Sequence, residues 1–178
     1  MTMAPAVLVL ASGYFIGGLL GDFFFKRSLR GRLLVSMVGV LLGAILLTLT
    51  MNVPIENQSL FMVLLIITAL FIPFAAPNVI STVYDITLPE VRSTALAIQY
   101  LIESGGAALA PLMAGLIAVR SSLAQAILII CVSAWIVCSI LLAFTAYLVP
   151  KDIQTLRGQL RERAEREREI QSGLAHAG

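Results

Sequence analysis

Two acids stand where an apolar chain has least reason to hold them. Asp22 ends the run GGLLGD after 21 residues without a Lys, Arg, Asp or Glu, and Lys26, Arg27, Arg30 and Arg32 follow within ten residues. Glu103 lies in IQYLIESGGAALAPLMAGL, with Gln99 one helical turn before it and Tyr100 adjoining that face. Other chemistry is thinly supplied. His176 is alone in the tail, and a lone imidazole builds neither a metal site nor a triad. Cys131 and Cys138 are seven apart, about 10 Å along a helix and too far for a disulfide, so they read as two small apolar residues. With no nucleophile–base pair and no metal-ligand cluster visible, neither an enzyme nor a metal or other cofactor is expected.

The surroundings of those acids follow from composition. Of 178 residues, 59% are hydrophobic and 12% charged, and mean hydropathy is +0.96. A water-soluble domain of this size needs more polar surface, so the solvent is a lipid bilayer. The net charge of +2 gives no case for nucleic acid, because the charges are segregated: residues 151–169 hold eleven of them. The N-terminus has no basic region ahead of its apolar stretch, which reads as a retained span rather than a cleaved signal.

Crossing the hydrocarbon takes about 20 mostly apolar residues. Five segments reach that length, at about 3–21, 33–51, 59–83, 93–118 and 123–149, followed by a charged, partly helical tail at 150–178. The expected fold class is therefore all-α, a five-helix membrane bundle. Eleven of the twelve Lys and Arg fall on one side and only Arg120 on the other. Positive loops stay cytoplasmic, so the expectation is a multi-pass protein of the cell (inner or plasma) membrane with a cytoplasmic C-terminus.

Gly13, Gly17 and Gly21 share one face of the first span, and Gly39 and Gly43 repeat the spacing in the second. Small residues at i, i+4 let helices approach closely in lipid. In the third span, Pro73 and Pro77 each remove a backbone hydrogen bond and bend the helix. Asn78, Ser81, Thr82 and Asp85 then form a polar stripe, read either as glue between helices or as part of a watery path. A carboxylate at the position of Glu103 costs about 3 kcal/mol in mid-bilayer and must face the bundle interior or water. It serves proton or solute handling, or else a structural hydrogen bond to a neighbouring helix. Beyond it, Gly105, Gly106, Pro111 and Gly115 make a thin, kinked half-helix. In the tail, Ile153, Leu156, Leu160 and Ala164 form a narrow apolar stripe suited to a membrane surface, and Arg161–Glu165 and Glu162–Arg166 are spaced to pair.

GGLLGDFFFKR resembles the loop signature of the major facilitator superfamily. Gly18 and Asp22 match its Gly and Asp, and Lys26 and Arg27 its basic pair; Phe23 departs from the usual Arg or Lys, and Phe25 from the frequent Gly. DITLPEVRSTALAI is similar to the family's later loop, with Asp85, Pro89, Arg92 and Ala95 at matching intervals, and GGAALAPLMAG resembles the fifth helix of a half. The resemblance implies a secondary active transporter working by alternating access, with this chain supplying helices eight to twelve of twelve. The partner is then an N-terminal half, from the same gene or a separate chain. Carried over, Gly18, Asp22, Lys26, Arg27 and Arg92 form a gating motif in which Asp22 docks on a helix N-terminus of that half. A local pairing of Glu90 with Lys26 or Arg27 is the alternative. Asn78, Gln99, Tyr100 and Glu103 are expected to line the path of a small-molecule solute, with a lipid-like solute and proton coupling among the options. The tail is also similar to that of spinster-type lipid transporters. The other function expected is a small, non-transporting membrane interaction or assembly module.

Overall fold

The computed structural model describes residues 3–54 and 56–177, with side chains placed from 7 to 172, so His176 lies outside the described side chains. The described residues form helices and no strand: α1 Met3–Phe25, α2 Gly31–Met51, α3 Gln58–Phe71, α4 Ala76–Ile86, α5 Arg92–Ala118 and α6 Leu123–Ala177, with a short 3₁₀ turn at Pro89–Val91. Taking α3 and α4 as one interrupted span, five helical segments are long and apolar enough to cross a membrane. The third span is interrupted rather than merely bent. Pro73 and Pro77 supply no N–H to hold the helix together, and residues 72–75 separate α3 from α4.

The glycine spacing of α1 has a matching partner spacing. A Cβ on Gly13 would stand 1.9 Å from the Leu70 carbonyl oxygen, one on Gly17 2.6 Å from that of Phe74, and one on Gly21 1.7 Å from Asn78 Oδ1. Three glycines four apart thus meet residues four apart along the broken span, against backbone at Gly13 and Gly17 and against the Asn78 side chain at Gly21. Gly39 of α2 takes the Phe74 ring in the same manner.

α2 is the hub, touching α1, α3, α4 and α6. Its best-buried contact is with α6, where Leu33 and Val40 meet Leu142, Ala146, Val149 and Ile153. At its other end the hydroxyls of Thr50 and Thr68 lie 3.2 Å apart in a buried position, joining α2 to α3.

Ile153 corrects the reading of the tail. Pro150 does not end α6, and one helix of 55 residues runs through it. Ile153 is 1% exposed and Leu156 is buried, so the first turns beyond Pro150 belong to the bundle core rather than to a lipid surface. Further out the contacts are thin. Arg161 pairs with Glu165 at 3.7 Å, and Arg163 reaches back to Glu90 at 2.8 Å, all four side chains being largely exposed. Ile153→Ala is therefore expected to destabilise the detergent-purified chain by about 2–4 kcal/mol, because it empties a closed site. Arg163→Ala is expected to change stability by less than about 0.5 kcal/mol, as solvated ion pairs do. Thermal melting followed by size-exclusion chromatography reads both, and equal shifts would contradict this picture.

Candidate functional site

The first polar cluster sits at the end of the bundle that carries the basic loop. Asp22 lies near the end of α1, Arg32 in the first turn of α2 and Asp85 at the end of α4. The Arg32 guanidinium donates to Asp22 Oδ1 through Nε at 3.0 Å and Nη2 at 2.7 Å, and to Asp85 through Nη1. It also lies 4.0 Å from the centre of the Phe25 ring. One cation therefore holds two carboxylates from two other helices. Arg32 and Asp85 are largely enclosed at 15% and 27% side-chain exposure, whereas Asp22 keeps 57%. Asp22 thus has a partner within its own chain and still presents most of its carboxylate outward.

This arrangement departs from the pairing expected from sequence. Neither Lys26 nor Arg27 meets Asp22 or Glu90; Glu90 instead takes Arg163. Arg27 lies over the Phe23 ring at 4.6 Å, and Arg30 over the Tyr147 ring at 5.8 Å. The residue that sequence reasoning passed over is Arg32. A usable signal existed: the basic residue past Gly31 falls on a helix instead of in the loop, and Asp85 ends the polar stripe of α4. Arg92 takes no carboxylate among the described residues. It donates to the Tyr84 carbonyl at 3.1 Å and stacks over that ring at 5.3 Å, tying the start of α5 to the end of α4. Gly18, the signature glycine, has only ordinary space around it, a Cβ there lying 3.5 Å from Pro77 Cβ.

Asn78 also moves away from its expected place. It is 1% exposed, enclosed between helices rather than set on an open face. Its Nδ2 donates to the Phe74 carbonyl at 3.2 Å and to the Gly17 carbonyl of α1 at 3.0 Å. The physical reason is the interruption before α4. The Asn78 backbone N–H turns to Ala75, leaving the Phe74 carbonyl without its usual helical donor, and the side-chain amide supplies one. Thr82 is likewise buried and bonds back to the Asn78 carbonyl at 2.7 Å, so the polar stripe faces inward as glue between helices.

The second polar cluster is on α5. Gln99 Nε2 donates to Glu103 Oε1 at 2.9 Å, while Tyr100 is exposed beside them. Gln99 Oε1 is covered and has no partner among the described residues. No residue of α5 is fully buried, and residues 100–109 are exposed all the way round. A Cβ on Gly105, Gly106 or Gly115 would touch nothing within 4 Å. The half-buried residues Arg92, Leu96 and Gln99 continue, at helical spacing, onto the face that holds Glu103 and Gly106. Where that face reaches Glu103, no helix of this bundle covers it. Pro111 lies within the unbroken run of α5. Among the described residues no cluster of His, Cys, Asp and Glu could hold a metal ion.

A family model described as Major Facilitator Superfamily matches residues 1–175 of the chain. No match exists among curated proteins or among solved structures.

Proposed function

We propose a transport role from one premise: this chain belongs to the major facilitator superfamily, whose members are transporters rather than enzymes. The role is secondary active transport, with solute passing between this bundle and a second one that faces it. The observation that carries the reading is the bare middle of α5. A mid-span carboxylate left in hydrocarbon is costly, so the Glu103 face requires water, solute or another protein against it. Glu103, oriented by Gln99, is the group suited to bind a solute donor or to exchange a proton, with Tyr100 and Gly106 beside it. Asp22, clasped by Arg32 on one side and open on the other, is suited to engage a donor on the facing bundle as the basic end closes. The basic loop and tail then lie in the cytoplasm.

Thiol accessibility in native membranes tests this reading. In a chain with Cys131 and Cys138 replaced by Ser, single cysteines are placed at Gln99, Glu103 and Gly106, and at Leu101 and Ala108 on the opposite face. A membrane-impermeant maleimide is expected to label the first set about tenfold faster than the second, since only a water-lined face admits it. Uniformly slow labelling of both sets would overturn the path and favour an assembly module with α5 sealed against a partner. Fast labelling of Leu101 and Ala108 would also overturn it.

A further inference from the structure

The most apolar recess in the bundle is separate from the α5 face. It is a groove of about 520 Å³ between α1 and α2, floored by the end of α3, and its walls include Ile16, Leu20, Phe24, Val38 and Phe74. Apart from Arg27 and Ser28 at one end, its walls are apolar, and no acid lines it. From Ile16 to Arg27 the chain climbs eleven residues, about 16 Å at helical rise. That is close to the depth of one leaflet's hydrocarbon, about half of 30 Å. With the polar end at headgroup level, the apolar end would reach to about the bilayer midplane.

The charges at the mouth are unbalanced. Arg32 is held by Asp22 and Asp85, and Arg30 turns to Tyr147. Arg27 lies over the Phe23 ring, which leaves its charge without a carboxylate within 4.0 Å among the described residues. The Ser28 hydroxyl accepts from the Arg30 N–H at 3.3 Å, which leaves its own proton for an acceptor.

We propose that this groove is a binding site for one anionic phospholipid of the leaflet on the basic side. An acyl chain fills the apolar channel, and the phosphate meets Arg27 and Ser28. The site lies apart from the solute path and holds the α1–α2 hairpin to the membrane. An apolar groove alone would accept any lipid or a neighbouring helix. A depth of one leaflet, together with a lining that carries Arg27 and no acid, selects an anionic lipid.

The test uses the purified full chain in phosphatidylcholine nanodiscs that carry a trace of photoactivatable lipid, either phosphatidylglycerol or phosphatidylcholine, with adducts mapped by mass spectrometry. Phosphatidylglycerol is expected to label residues 16–42 several-fold more than phosphatidylcholine. Arg27→Gln should lower that preference about fivefold, the worth of one basic residue at a membrane surface. Val38→Trp, which fills the groove and leaves the charges intact, should remove the adducts while circular dichroism stays unchanged. Equal labelling by the two lipids, or adducts that survive both substitutions, would overturn the site. Copurification of another polypeptide crosslinked in the groove would overturn it as well.

Discussion

Gly13→Ala is expected to lower the stability of the purified chain by about 3 kcal/mol, a large overpacking cost, while Gly18→Ala leaves it unchanged or slightly raised. The added methyl at Gly13 would sit 1.9 Å from the Leu70 carbonyl oxygen, a backbone atom with no rotamer to escape into. α1 must then lift from α3, and the contacts at Gly17 and Gly21, on the same ridge, open with it. At Gly18 the methyl meets Pro77 Cβ at 3.5 Å, an ordinary contact. Alanine there also gains about 0.5–1 kcal/mol of backbone entropy over glycine in a helix. The contrast separates close approach from family signature, since Gly18 is the residue of the signature and Gly13 is not. Melting in detergent, read by monodisperse size-exclusion peak height, decides it. A parent-like Gly13→Ala, or a Gly18→Ala as damaging as Gly13→Ala, would remove the ridge as an organising contact.

Arg32→Leu is expected to cost about 3 kcal/mol as well, because it leaves two carboxylates facing one another at the membrane edge without a cation. Asp85 suffers most, being enclosed and dependent on the Arg32 Nη1 donor. The double variant Arg32→Leu, Asp85→Leu should regain most of the loss, since an enclosed ion pair replaced by apolar groups of similar size is often close to neutral. Arg32→Lys should recover only part of it, for one ammonium lacks the planar fork that serves both acids at once. Asp22→Asn should cost less than about 1 kcal/mol, because its carboxylate is more than half exposed. A thermal melt of the four variants in one detergent orders them. If Arg32→Leu melts with the parent, the cluster contributes nothing to the assembly of α1, α2 and α4.

The sequence by itself determined the class, the five apolar segments and the small-residue ridge. Lipid makes those features legible. A span must be continuously apolar over a set length, charges must gather at its ends, and helices that pack tightly there must present small residues at fixed spacing. The same logic singled out Glu103 as anomalous, and the signature around Gly18 and Asp22 led to the right family. Tertiary structure alone decided which of four bases meets Asp22, and why Asn78 turns inward. It also decided that α6 runs on through Pro150 and that α5 stands uncovered. Those outcomes depend on how far each helix is rotated and how closely its axis approaches the next. Arg32 and Asp85 are 53 positions apart in sequence, and Asn78 and Gly17 are 61. Local spacing places a residue on a face of its own helix; only the docking of helices decides what that face meets.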